Sequence, residues 1–122
     1  MPSYIDRWKK LKYVHLSEAS EMGMFELTEE QLEIKQAVRE FCEKEFDPEL
    51  ALELCEREEF PMDLYKKAAK LGFTSIAFPE EYGGQGYGTL EECIVVEEMC
   101  RADSSLGMAI MAGNFGSQLI LF

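Results

Sequence analysis

Apolar residues recur with a helical period along most of the chain. Ile34, Ala37, Val38, Phe41 and Cys42 fall at i, i+3, i+4, i+7 and i+8, with Glu29, Glu33, Lys35, Arg39, Glu40 and Glu43 on the other side. This is one amphipathic helix carrying a core stripe. Thr28-Glu29-Glu30-Gln31 reads as a capping box, with Leu27 and Leu32 flanking it as a hydrophobic staple, and together they predict a helix over about 28–46. Asp47-Pro48 pairs a capping carboxylate with a proline at the first helical position, so a short helix is expected to about Glu58. Phe60-Pro61 restarts the chain. Leu64, Tyr65, Ala68 and Leu71 then form another stripe, and Gly72 is the expected stop. The apolar run Phe73 to Phe78 is too short to specify more than a buried loop or strand-like segment.

Thr89-Leu90-Glu91-Glu92 has the form of a second capping box. Leu90, Cys93, Ile94, Val95, Val96, Met99 and Cys100 cover most of the helix that follows, which predicts a largely buried element. Asp103 or Ser104 caps a last helix. From Ser104 to Phe122 there is no charged residue. That run approaches the length of a membrane span. However, Asn114, Ser117, Gln118 and the glycines 107, 113 and 116 dilute it, and no basic flank anchors it. A central helix walled in by other helices is the expected role, its small residues permitting close approach of neighbours or of a ligand. The chain stops on Leu119-Ile120-Leu121-Phe122, without a polar cap, and further polypeptide is expected to follow or cover that end.

Composition narrows the function classes. The 122 residues suffice for one domain. Twelve basic against 24 acidic residues give a net charge of −12, which speaks against nucleic acid and against an anionic membrane surface. The cysteines 42, 55, 93 and 100 have no CxxC spacing. They read as reduced, core-facing thiols of a cytoplasmic protein rather than as a disulfide frame or a zinc site. His15 is the single histidine, so a histidine-based triad or an HExxH site is excluded within the chain. The opening MPSYIDRWKKLKYVHL lacks the apolar core of a secretory signal, and a solvated tail or surface strap is expected there.

Three stretches invite a chemical reading. FPEEYGGQGYGTLEE, residues 78–92, concentrates four glycines between 83 and 88 and resembles a phosphate cradle. Thr89-Leu90 stands where a Walker loop needs Lys-Ser/Thr, and Thr89 also replaces the third glycine of a dinucleotide fingerprint. Flanking glutamates repel phosphate, and Thr89 is expected to cap the amides a phosphate would use. A turn-rich connector is the expected role. Glu97-Glu98 resembles a carboxylate pair, but adjacent helical residues point about 100° apart, and Arg101 at i+4 and i+3 predicts a helix ion pair instead. Met108 and Met111 are expected in the core.

Three segments in order carry a family likeness: FELTEEQLEIKQAVREF, FPMDLYKKAAKLGF and FPEEYGGQGYGTLEECIVVEEMCRADSS. They resemble the N-terminal helical domain of acyl-CoA dehydrogenases over residues 25–122, and residues 1–24 form an extension outside the likeness. The resemblance implies an all-α bundle of about five helices around a buried, uncharged C-terminal helix. It implies a parent flavoprotein in which a β-domain and a C-terminal helical domain, absent from these residues, complete an FAD site. There a glutamate of the C-terminal domain removes the α-proton of an acyl-CoA thioester. The flavin accepts the β-hydrogen as hydride, and electrons pass to an electron-transferring flavoprotein. A homo-oligomer is the implied assembly.

No catalytic residue transfers to this chain, so it is not expected to be catalytic alone or to hold FAD alone. One site does transfer. The family's last helix in this domain lines the acyl-chain pocket, and Gly107, Met111 and Phe115, at i, i+4 and i+8, match its substrate-facing positions. Core packing is the competing role for all three. Two other functions stay open: a non-catalytic acidic helical interaction module or subunit of a split flavoprotein, and a piece of a related flavin oxidase or monooxygenase.

Overall fold

The computed structural model describes residues 26–121, and the expectations for residues 1–24 lie outside them. Five α-helices of eight or more residues make up the domain: α1 (Glu29–Glu45), α2 (Pro48–Arg57), α3 (Met62–Lys70), α4 (Thr89–Ala102) and α5 (Ser104–Met111). A short α6 (Ser117–Leu121) follows, and three 3-10 turns punctuate the chain at Phe73–Ser75, Glu80–Tyr82 and Ala112–Asn114. No strand occurs among the described residues. The all-α expectation holds, as do the starts at Thr28 and Asp47-Pro48 and the stop at Gly72, whose φ of 85° is the left-handed helix-ending conformation. The run Phe73 to Phe78 is a 3-10 turn and bend, with Phe73, Thr74 and Ile76 buried.

The main helix pair is α1 against α4. Gln31 at the start of α1 meets Glu91 at the start of α4, and Arg39 in mid-α1 meets Glu98 in mid-α4, so the two helices run parallel. Parallel dipoles bring two positive ends together, and Glu29, Glu30, Glu91 and Glu92 in the first turns offset that. The two caps are joined through side chains. Thr28 and Gln31 form the predicted box, Gln31 Nε2 donates to Glu91 Oε1 at 2.7 Å, and Glu91 Oε2 accepts from the Gly88 amide at 2.9 Å. Thr89 is not the cap. It is the first residue of α4, Gly88 takes the extended cap position, and the closing hydrogen bond is made by the glutamate three residues on.

One core draws on every long helix. Val38, Phe41 and Cys42 come from α1, Leu64 and Ala68 from α3, Val95 and Met99 from α4, and Leu106, Ile110 and Met111 from α5. Phe41 meets Phe73 edge-on at 5.6 Å between ring centres. Ala37, counted in the α1 stripe, is exposed, and Leu71 likewise. Asp103 ends α4 and caps α5: its amide donates to the Met99 carbonyl, and its Oδ1 accepts from the Ser105 and Leu106 amides and the Ser105 hydroxyl. These bonds hold its carboxyl below the usual range, the Leu106 amide contributing most.

The uncharged C-terminal run differs from the single central rod expected of it. It breaks into α5, the turn at 112–114 and α6. Its first part is walled in, with Leu106, Gly107, Ile110 and Met111 buried. Phe115, Leu119 and Ile120 are exposed. Gly113 and Gly116, weak helix formers, sit where the run breaks. No helix among the described residues is long and apolar enough to cross a membrane.

Candidate functional site

The site is a groove on the outer side of α4. Helix α4 has two faces, and about 100° of turn per residue separates them cleanly. Ile94, Glu98, Val95 and Met99 fall on one arc and are buried. Glu92, Val96, Cys93 and Glu97 fall on the opposite arc and line a groove of about 620 Å³. The end of α5 and the turn after it supply the far wall, through Met111, Asn114 and Phe115. The expectation of a largely buried helix is therefore corrected: Cys93 is exposed because its strip faces this groove rather than the core, and Leu90 is exposed outside the groove. The size lies in the range of small-molecule pockets, roughly 300–1,000 Å³.

Of the three residues matched to an acyl pocket, two lie together in the groove. Met111 is 1% exposed and Phe115 66%, so one forms floor and the other an open wall. Gly107 is elsewhere. It is buried at the α4–α5 junction, and a Cβ there would lie 2.8 Å from the Met99 carbonyl carbon and the Cys100 nitrogen. Its smallness lets the first turn of α5 close on the last turn of α4, which sets the angle that carries Met111 and Phe115 to the groove.

Beneath the groove, Glu98 is 1% exposed and fully partnered. Arg39 grips it with two hydrogen bonds of 3.0 Å, Arg101 donates twice at 3.0 and 3.1 Å, and Lys35 stands 3.5 Å away. Arg39 foremost, then Arg101, hold the Glu98 carboxyl down to about 2 against its burial. The expected Glu–Arg101 helix pair thus exists for Glu98, and two cations from α1 complete it. The signal was present in the sequence: Glu98 lies between Ile94 and Val95 on the buried arc, and a carboxylate there requires cationic partners. No buried side-chain polar atom among the described residues lacks a partner.

The glycine loop is closed upon itself. The amides of Gly83, Gly84, Gln85, Gly86 and Tyr87 all donate to backbone carbonyls between Ser75 and Glu80, and that of Gly88 donates to Glu91. Gly84 presses so near Phe78 that a Cβ would fall 2.1 Å from its carbonyl oxygen. No amide of residues 83–88 is left to cradle a phosphate, and the loop does not fit the pyrophosphate of a dinucleotide such as FAD. The connector reading is correct. Among the described residues no metal-binding cluster occurs, and all four cysteines are free. Only Cys42 and Cys100 face inward; Cys55 and Cys93 are exposed, contrary to the core-facing expectation. Burial pushes the Cys42 thiol up to about 11, so it stays protonated and inert.

A family model described as "Acyl-CoA dehydrogenase, N-terminal domain" matches residues 28–122. The chain belongs to this family. A probable acyl-CoA dehydrogenase of Bacillus subtilis is 42% identical over 88 residues, covering 72% of this chain and 23% of the relative. A short-chain-specific acyl-CoA dehydrogenase of Clostridium acetobutylicum is 42% identical over 88 residues, with the same coverage of 72% and 23%. An NADH-dependent acryloyl-CoA reductase of Anaerotignum propionicum is 42% identical over 85 residues, 67% of this chain and 21% of the relative. The domain thus spans about a quarter of the length of its relatives. No solved structure gives a significant match.

Proposed function

We propose that this chain is the N-terminal module of an FAD-dependent acyl-CoA dehydrogenase, and that its groove receives part of the acyl tail of a CoA thioester. The groove between α4 and the end of α5 carries the reading: Val96, Cys93, Met111 and Phe115 give it an apolar lining within a domain of the matched family. The reaction is α,β-dehydrogenation to an enoyl-CoA. FAD supplies the hydride acceptor when bound. The glycine loop offers it no cradle, and in this reading its site and the base lie in other parts of the complete protein. This chain's own contribution is to bind and orient the tail and to keep water from it. Acyl-CoA is the substrate, an electron-transferring flavoprotein the partner, a homo-oligomer the assembly and the cytoplasm the compartment in this reading.

Replacing Met111 or Phe115 by Trp in the complete enzyme fills the groove. Preference then shifts toward shorter acyl chains, read as kcat/KM across a chain-length series. Phe115→Trp is the safer variant because its site is open, whereas Met111 is packed. Unchanged chain-length selectivity in a folded Phe115→Trp enzyme would remove the groove from the substrate path. The reductase among the relatives favours a second reading: a groove for an acyl tail serves reduction of an enoyl-CoA equally well. Turnover of enoyl-CoA with a reduced donor, exceeding acyl-CoA oxidation, would select it.

A further inference from the structure

We infer that the side-chain carbonyl of Asn114 makes the groove selective for acyl tails that carry a hydroxyl group over plain alkyl tails of equal length. The inference rests on the acyl-groove reading above and adds the class of tail that the groove prefers.

Asn114 is 7% exposed and lines the groove from the turn after α5. Its polar groups are unequally used. The backbone carbonyl accepts from the Ser117 hydroxyl at 2.7 Å, and Nδ2 makes a long hydrogen bond of 3.4 Å to Glu92 Oε1. A carboxylate only accepts, so the amide nitrogen is the atom that faces Glu92 and the carbonyl oxygen points away from it. Oδ1 accepts no hydrogen bond among the described residues. Every fully enclosed side-chain polar atom there has a partner, so this oxygen is an open one. In a residue so nearly buried, the groove is the opening it has.

The rest of the lining does not satisfy it. Glu92 and Glu97 are acceptors, Met111 offers a thioether, and Val96 and Phe115 are apolar. The Cys93 thiol is a weak donor. A good donor for Oδ1 therefore arrives with whatever enters. In the open groove solvent supplies it. A plain alkyl tail expels that solvent and strands the acceptor at the cost of its desolvation. A tail with a hydroxyl restores the hydrogen bond and keeps the apolar contacts of its remaining carbons. Sites that pair a polar group with a substrate hydroxyl discriminate in this way against the analogue that lacks it. The place of the hydroxyl follows too. Asn114 meets Glu92, the residue before Cys93, so the donor lies level with Cys93 while the hydrocarbon lies along Val96, Met111 and Phe115.

Cys93 provides the reporter. Alkylation of the full 122-residue chain is followed by peptide mass mapping. Two isomeric maleimides are compared, one with an ω-hydroxyalkyl tail and one with the same atoms arranged as an ω-methoxyalkyl tail, which accepts hydrogen bonds but donates none. A series of lengths covers the reach from Cys93 to Asn114. Rates are divided by those at Cys55, on α2, which cancels the intrinsic reactivity of each reagent. At the best length the hydroxyl reagent is expected to label Cys93 about fivefold faster than its isomer. Asn114→Leu, close in size and without the acceptor, is expected to abolish that difference. Asn114→Ala, which adds no bulk, should do the same if leucine unsettles the turn. Equal rates at every length in the wild-type chain overturn the inference without any variant. A difference that survives either substitution in a folded chain also overturns it, because another acceptor then serves the hydroxyl. The groove reading fails separately: lengthening a plain alkyl maleimide would then not speed labelling of Cys93, and Phe115→Trp would not slow it.

Discussion

Glu98 shows at the scale of one residue how a charge specifies a fold. Adjacent glutamates on a helix point about 100° apart, so one of Glu97 and Glu98 faces inward. The apolar neighbours Ile94, Val95 and Met99 fix which one, and the two arginines make it tolerable. Removing one partner of a buried cluster leaves uncompensated charge. Here the cations left behind, Arg39 and Arg101, are 37% and 54% exposed and rehydrate, so Glu98→Ala is expected to cost about 1–2 kcal/mol for its lost hydrogen bonds, read from urea unfolding. The carboxyl's pH dependence has a definite sign. Its acidity is raised in the folded state, from 4.5 to about 2, so its contribution is complete above pH 4.5 and fades as pH falls toward 2. The difference in stability between wild type and Glu98→Gln should shrink across that window. A difference that stays constant from neutral pH down to pH 2 would show that the carboxylate is not the group responsible.

At the scale of elements, junctions matter more than helix interiors. The α4–α5 corner uses one residue, Asp103, as the end of one helix and the cap of the next. Gly107 then lets the two backbones touch. Gly107→Val should prise α5 from α4 at a cost of about 2 kcal/mol, as overpacking of a closed contact does. The same change should also perturb labelling of Cys93, because Met111 and Phe115 ride on that corner. Wild-type stability in Gly107→Val would mean the corner is looser than its geometry. Asp103→Ala tests the cap alone, with a loss of about 1 kcal/mol expected from thermal or urea melts. The stripes of α1 and α3, the capping box at Thr28 and the stop at Gly72 were legible in the sequence because each is set by residues within a few positions. Thr89 was misread as a cap because Gly88 also accepts an extended cap conformation, and Glu91 serves the cap at Gly88 as Glu92 would serve one at Thr89. The uncharged run was misread as one rod because its lack of charge says nothing about where glycines interrupt it.

At the scale of the whole molecule, a net charge of −12 on 122 residues dominates the long-range field. Local ion pairs such as Lys67 with Glu45 and Arg39 with Glu98 are embedded in an excess of like charge. Added salt screens the repulsion over more distance than it weakens the pairs. The melting temperature should therefore rise with moderate sodium chloride, and a fall would indicate that the pairs outweigh the repulsion.

The sequence by itself determined the helical class, the starts and stops of the first three helices, the family likeness and the connector role of the glycine stretch. All of these follow from side chains near one another in the chain, where spacing and capping chemistry act directly. The groove, the depth of Glu98 and the separation of Gly107 from Met111 and Phe115 were decided by the tertiary structure. Each depends on which of two apolar arcs of α4 turns inward, and α1 settles that by presenting Arg39 and Lys35 to Glu98 from some 60 residues upstream. Periodicity can count apolar faces on a helix, but the partner that covers one of them is a matter of contacts remote in sequence.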